Sequence, residues 1–128
     1  MNIPQEIIDR LPADVKADFL KWDRFMYDRV KFNMPQSLIH AMGHCERVLL
    51  YALIMGHEIF GNDPAALTAL AHASVFHDTR RLDDYLDTGH GARAAVYYEE
   101  FCRQNHDIVF YPEAVYMMRY HDLDDAVG

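Results

Sequence analysis

The sequence has few of the residues that build disulfide scaffolds, membrane spans or nucleic-acid surfaces. Its only two cysteines, Cys45 and Cys102, lack CxxC spacing, which excludes a disulfide framework and favours a reducing, cytoplasmic location. No apolar run approaches the roughly 20 residues that span a bilayer, and Met1-Asn2-Ile3-Pro4 begins no signal peptide. We therefore expect no membrane association. Positive charge is also scarce: the net charge of -8 argues against binding to duplex nucleic acid.

Strand signals are missing too, and helical spacing takes their place. Alternating β-branched runs and Asn-Gly turns are absent, whereas Val15, Phe19, Trp22 and Met26 recur every three or four residues. The sequence predicts an all-α fold, a compact bundle of five to six helices. The length of 128 residues suits a single domain over 1–128, with N-terminal helices in 1–35 and a core in 36–125. An oligomer is possible, but no pattern in the sequence predicts one.

Apolar periodicity and breaking residues give the expected helix bounds. Helices are predicted near 7–11, 14–32, 36–60, 64–78, 90–105 and 112–121. Asp63-Pro64 should cap the fourth helix, which is apolar nearly all round and so belongs at the bundle centre. The polar stretch 79–89 predicts either a loop or a broken helix on the surface.

The chain is rich in histidine, with eight in all, and the most informative is followed by an aspartate. His77-Asp78 ends the fourth predicted helix, where a buried charge is costly unless something compensates it. An imidazole nitrogen beside a carboxylate oxygen suits a divalent transition metal. The alternative is a helix end that simply reaches the surface, with histidine favoured by the helix dipole.

Two further histidines are four residues apart on one predicted helix. His40 and His44 share a face with Val48, Tyr51 and Met55, which we expect to point to the core. They are interpreted either as hydrogen-bonded core residues or as metal ligands.

His90 and His121 stand at other predicted helix ends. By themselves they indicate a capping loop between Gly89 and Gly91 and a frayed terminus. Histidines on several helices are, however, the way in which a helical bundle builds a metal site.

Four segments carrying these residues resemble the HD phosphohydrolase superfamily. His44 to Val48 resembles its HxxRV signature, and His77-Asp78 resembles the HD motif some thirty residues later. Asp87 to Ala95 is similar to a D-x-x-H-G-x-x-(S/A)-A segment, and Tyr120-His121 resembles a later helix end. The resemblance covers about 36–125.

The resemblance implies an HD-like fold with one or two divalent cations, drawn from Zn, Mn, Fe, Ni, Co or Mg. His44, His77 and Asp78 would hold the first ion, with Asp78 bridging to a second. His90 and His121 would serve that second ion.

The resemblance further implies a phosphohydrolase that uses metal-activated water. Its partner would be a small phosphorylated ligand, with a nucleotide as the expected class. Asp78, Arg80 and Arg81 would be catalytic, with an arginine reaching a phosphate oxygen. His40 is placed at the pocket rim, and Cys45 is expected only to pack. Loop carboxylates are the candidates for shuttling a proton, or else form a solvated loop: Asp83, Asp84 and Asp87.

One departure from the family pattern motivates an alternative function. The pattern ends with a further aspartate, for which Asp122, Asp124 and Asp125 are the remaining candidates. We expect either a shortened member of the family or a closing helix that this sequence does not include. The alternative is a catalytically weakened regulatory module that binds metal or nucleotide. The number of histidine ligands also allows a di-iron oxygenase on the same scaffold.

Overall fold

The computed structural model describes residues 2–37, 41–84 and 87–121, and six α-helices lie in these ranges. They are α1 (Gln5–Asp9), α2 (Ala13–Arg29), α3 (Met42–Phe60), α4 (Pro64–Phe76), α5 (His90–Gln104) and α6 (Pro112–Tyr120). The described ranges contain no strand, which confirms the all-α prediction. Within those same ranges, no helix combines the length and apolarity that crossing a membrane requires.

Helix α4 lies at the centre of the bundle, as its sequence predicts. The Asp63 carboxylate accepts hydrogen bonds from the N–H groups of Ala65 (3.2 Å) and Ala66 (3.4 Å), and Pro64 occupies the first turn. The helix packs against α2, α3, α5 and α6. Small side chains on it are buried against these neighbours, namely Ala69, Ala71 and Ala73.

An aromatic cluster fixes the end of α4. The Phe76 side chain is fully buried. Its ring lies 5.1–6.2 Å, centroid to centroid, from four others, those of Phe25, Tyr97, Tyr98 and Phe101. Truncating such a residue to alanine costs about 3–5 kcal/mol of stability. Because the His-Asp pair follows directly, this packing also positions the candidate site.

Helix α3 begins later than the sequence predicts. It starts at Met42, whereas residue 36 was expected. Pro35 lies in a turn closed by the Ser37 N–H, which donates to the Met34 carbonyl at 3.1 Å, so the proline does not open the helix. His40, predicted at a pocket rim, lies outside the described residues.

The predicted core face of α3 was wrong by about one residue. Cys45, Leu49 and Leu53 are fully buried, whereas Tyr51 and Met55 are 60% and 56% exposed. Successive helical residues point about 100° apart, so a shift of one residue turns a core stripe toward solvent. Both stripes are apolar, and periodicity alone did not distinguish them.

The polar stretch before α5 is irregular where it is described, as predicted, and it is tied to that helix. Arg93 donates from Nη2 to both carboxylate oxygens of Asp87 (2.6 and 2.7 Å) and from Nε to the Arg80 carbonyl (3.1 Å). Asp87 also accepts from the Leu82 N–H at 2.7 Å. Burial raises the pKa of Asp87, but these bonds outweigh it and lower the pKa below its usual range. A Cβ at Gly89 would lie 2.5 Å from Arg93 Nη1, so the glycine leaves room for the Arg93 guanidinium.

Candidate metal centre

A single carboxylate at the end of α4 faces four histidines. The Asp78 side chain is 3% exposed. Its Oδ2 lies 3.2 Å from His44 Nε2 and 3.3 Å from His77 Nε2. Its Oδ1 lies 3.2 Å from His90 Nε2 and 3.8 Å from His121 Nε2. Asp78 therefore stands between two histidine pairs, and each oxygen faces one pair.

The cluster divides into two groups of potential ligand atoms that share Asp78. One group is His44, His77 and Asp78, and the other is Asp78, His90 and His121. Within each group, one ligand atom per residue lies within 4.8 Å of the others. Imidazole nitrogen and carboxylate oxygen together suit divalent transition metals. The described residues thus contain a buried His/Asp cluster that could hold a metal ion.

Three of the rings are oriented by bonds from Nδ1 to a carbonyl three residues earlier. The pairs are His77 with Ser74 (2.7 Å), His121 with Met118 (2.6 Å), and His90 with Asp87. A carbonyl oxygen only accepts, so the hydrogen of each neutral ring is on Nδ1. The Nε2 lone pair is then directed toward Asp78. Metal-binding histidines are commonly held in the same manner, by a carbonyl or carboxylate behind the ring.

The potential ligand atoms of this cluster are arranged so that they could bind a cation. Nε2 of His90 and Nε2 of His121 lie 2.8 Å apart, and both rings use Nδ1 as the donor. Two lone pairs therefore face each other beside a carboxylate oxygen. Such acceptors repel one another unless a proton or a metal ion lies among them. A divalent ion satisfies all of them at once.

Asp78 is ionised in spite of its burial. Burial raises the pKa of Asp78, but hydrogen bonds from His121, His44, His77 and His90, in the form of these rings that carries a proton on Nε2, outweigh burial and hold the pKa well below its usual range. The group is therefore an acceptor or a ligand at neutral pH, and it has no proton to donate to a substrate.

Solvent reaches the cluster from two sides. The His44 and His121 side chains are 31% and 27% exposed, whereas that of His90 is 1% exposed. A cleft of about 290 Å³ lies beside His44 and Arg47. A second cleft of about 300 Å³ is lined by His77 and His121. Both clefts leave room for a small ligand next to the candidate ligand atoms.

Of the two arginines predicted to be catalytic, Arg81 is the one that lies at the cluster. Its side chain is 4% exposed, and its Nε lies 3.4 Å from Asp78 Oδ1. Nη1 donates to the Asp83 carbonyl at 2.9 Å. The guanidinium thus sits on the His90 and His121 side of the carboxylate.

Arg80 is directed elsewhere. Its Nη1 donates to the Lys31 carbonyl and to Asn33 Oδ1, both at 3.0 Å. Its guanidinium lies over the Tyr97 ring, 3.6 Å from the centroid. These contacts join the segment after α2 to α5, and they give Arg80 a structural place in the fold.

Two of the predicted loop carboxylates have defined partners. Asp84 accepts from Ser37 Oγ at 2.6 Å, and Asp87 pairs with Arg93. Asp83 contributes its backbone carbonyl to Arg81. The three later candidates lie outside the described residues, namely Asp122, Asp124 and Asp125.

Cys45 and His72 serve packing. Cys45 is fully buried with Sγ 4.0 Å from His77 Nδ1, and burial raises the pKa of its thiol, so the neutral thiol packs as predicted. His72 is buried in the core, where its Nδ1 and the Tyr98 hydroxyl oxygen are hydrogen-bonded at 2.7 Å. Burial lowers the pKa of His72 to about 4, so it stays neutral and apart from the cluster.

The carbonyls of Ser74 and Met118 are the parts of the site that sequence reasoning missed. Each lies three residues before a histidine that follows a helix. The last carbonyls of a helix lack intrahelical partners, which makes them available to such a ring. A histidine just after a predicted helix was the signal that could have identified them.

The chain was compared with protein-family models, with characterised proteins and with solved structures, and none of them matches it. What the described residues establish is an all-helical domain with a buried His/Asp cluster that could hold metal.

Proposed function

We propose that this chain is a metal-dependent phosphohydrolase of the HD type that acts on a small phosphate ester. The observation that carries the proposal is the Asp78 carboxylate, which stands between two histidine pairs with Nε2 atoms directed at its oxygens. The resemblance of four ordered sequence segments to the HD superfamily supports the same function. A nucleotide substrate and a cytoplasmic location stay predictions from sequence.

His44, His77 and Asp78 are the proposed ligands of the first divalent ion. Arg81 lies on the opposite, Oδ1 side of Asp78, where its positive charge makes a cation costlier. His90 and His121 would complete a second site across the same carboxylate. A divalent ion in such a site lowers the pKa of bound water toward neutrality and polarises a phosphoryl oxygen.

Residues around the site would hold the metal ligands in place and stabilise negative charge on the substrate. The carbonyl behind each ring holds His77 and His121 in one orientation. The Arg81 guanidinium would stabilise the negative charge that develops on the phosphate oxygens. Because Arg81 is buried, this interaction is stronger than it would be in water. Asp78 stays ionised and keeps the histidines in place.

Metal content and turnover test this proposal directly. The purified chain is analysed for bound metal and assayed, with zinc, manganese, iron, nickel, cobalt or magnesium added, on a panel of aryl phosphates, alkyl phosphates and nucleotides. We expect at least one equivalent of transition metal and release of inorganic phosphate. His77→Ala should lower turnover by at least about 100-fold. His106→Ala, at an exposed histidine outside the cluster, is the matched control and should have no effect.

A metal-replete chain that hydrolyses no ester on the panel would overturn the phosphohydrolase. Metal or nucleotide binding without product would then favour the regulatory module.

A di-iron oxygenase is a second candidate, because a carboxylate between two histidine pairs also suits two iron ions. Iron as the purified metal, together with oxygen consumption, would favour it over the phosphohydrolase. Zinc or manganese with phosphate release would exclude it.

A further inference from the structure

An apolar groove runs along the surface of the bundle and ends at the histidine cluster. Two adjoining cavities of about 460 and 300 Å³ form it, and both are lined by Leu70 and Met117. The smaller cavity is also lined by His77 and His121. Pockets that bind small molecules typically have volumes of about 300–1,000 Å³.

Helical register places the lining residues of the two cavities in line. On α6, Glu113, Met117 and His121 follow one another at intervals of four and share a face. On α4, the lining extends from Ala66 to His77. At 1.5 Å per residue this separation is about 16 Å. The groove is therefore long enough for an extended ligand whose one end lies at the cluster.

The chemistry of the groove is apolar along most of this length. The lining between its ends includes Ala52, Ala73, Val48 and Leu70. The Ser74 hydroxyl within it already donates to the Leu70 carbonyl at 2.8 Å. A nucleobase has several donors and acceptors, which would lose water here without gaining partners. An alkyl or other apolar group makes no hydrogen bonds to water, so it loses none on entering the groove.

We propose that the groove binds the apolar body of a phosphate monoester, with the phosphate at the His77 and His121 end. The preferred substrates are then esters of apolar alcohols, in place of nucleotides. Charge sets the orientation of the ester in the groove. Glu113 at the outer end repels the phosphate anion, whereas a cation at the histidine cluster attracts it. This inference rests on the proposed phosphohydrolase function.

A chain-length series provides the test. Alkylphosphonates from methyl to decyl, which have no ester bond to hydrolyse, are titrated calorimetrically into the metal-loaded wild-type chain. Each methylene buried in the groove should tighten binding by roughly threefold to fourfold until the groove is full. The heat-capacity change of binding should become more negative over the same range. In parallel, phosphate release is compared between decyl phosphate, ethyl phosphate and nucleoside monophosphates.

A matched pair of variants locates the apolar body. Ala66→Glu places a charge at the outer part of the groove, and Ala13→Glu places one at an exposed site in the first turn of α2. Residue 66 is in the first turn of α4, where the helix dipole favours an acidic side chain, so the variant should fold. We expect Ala66→Glu to weaken decylphosphonate binding by about tenfold or more and to leave methylphosphonate unchanged. Ala13→Glu should change neither.

The outcomes separate this inference from the function on which it rests. Phosphonate affinity that is independent of chain length, or faster hydrolysis of nucleotides than of decyl phosphate, overturns the groove assignment and leaves the phosphohydrolase standing. Length-dependent phosphonate binding without hydrolysis of any ester supports the groove and overturns the proposed activity. Dimerisation that Ala66→Glu abolishes, and that excludes decylphosphonate, would show that a second copy occupies the groove. The wild-type series is decisive even if a variant fails to fold.

Discussion

The pKa values of two buried carboxyl groups in this molecule are shifted in opposite directions. Asp78 and Asp23 are nearly equally buried, at 4% and 5% exposure. The pKa of Asp78 is held far below its usual range by four histidines, in spite of burial. Burial raises the pKa of Asp23 to about 8, with the neighbouring Glu46 adding to the rise. Burial alone therefore drives a carboxyl group toward its neutral form, and imidazole partners reverse that preference.

Asp23, Glu46 and Tyr27 form a second cluster, here called the Asp23 cluster, which has a structural role. Glu46, the partner of Asp23, is fully buried and accepts from the Asn2 N–H at 2.7 Å. Burial, together with Glu46 and Asp23, raises the pKa of the nearby Tyr27 to about 12. Asp23 and Tyr27 therefore keep their protons at neutral pH, whereas Asp78 is a permanent anion.

The largest expected effect comes from removing that anion. Asp78→Asn should weaken metal affinity by more than about 100-fold, which is the upper range for changes to groups behind the ligands. Asp23→Asn is the matched control and should retain full metal content, because an amide replaces a carboxyl that is already neutral. Competitive metal titration of both variants measures the difference. Equal affinities would show that the ionised state of Asp78 is irrelevant to the site.

Removing the metal should be the next largest effect. Free metal at 100 times its Kd stabilises the folded chain by about 2.7 kcal/mol. For a chain of this length a chelator should then lower Tm by about 10 °C. Melting curves with metal and with chelator provide the measurement. In Asp78→Asn the two curves should coincide, and a chelator shift that persists there would point to metal bound elsewhere.

The Asp23 cluster makes the opposite prediction for pH. Its folded pKa of about 8 lies above the ordinary 3.8, so the folded state keeps a proton that the unfolded chain loses. Stability from this group is full below pH 3.8 and declines as pH rises to about 8. Asp23→Asn has no such decline, so relative to wild type it should gain roughly 3–4 kcal/mol between pH 5 and 8. Urea unfolding at both pH values tests this, and a constant difference between the two proteins would refute it.

The smallest effect separates the two neighbouring arginines. Arg80→Ala loses contacts to Lys31, Asn33 and Tyr97, and should cost about 1 kcal/mol of stability with turnover unchanged. Arg81→Gln removes the charge beside Asp78 and should lower turnover. Urea unfolding and phosphate release, measured on both variants, show whether the roles divide in this way. Loss of turnover in Arg80→Ala with normal turnover in Arg81→Gln would reverse them.

Local signals predicted the fold well. Asp63 and Pro64 open α4 as expected, because capping involves only neighbouring residues. The core face of α3 was misjudged because two adjacent stripes are both apolar, and only the packing of α3 against α2 and α4 decides between them. The sequence could not distinguish Arg80 from Arg81 either, because contacts with distant residues separate the two side chains.

The ordered sequence motifs contain Asp78 and four histidines, and the structure brings these histidines together around the Asp78 carboxylate, namely His44, His77, His90 and His121. Which carboxylate oxygen faces which ring depends on how four separate segments meet, and no local pattern contains that information. The pairing of Asp23 with Glu46 was missed for a similar reason, since two acidic residues on different helices give no spacing to recognise.

The bonds from Nδ1 to a carbonyl three residues earlier also bear on how such a site can form during folding. Each of these rings is oriented by its own turn of chain, as in Ser74 to His77 and Met118 to His121. The restraint on each ring is therefore local in sequence, and the rotamer entropy that it removes is a cost of forming the turn. Packing of the helices has to bring the rings together, whereas the orientation of each ring is set within its own turn.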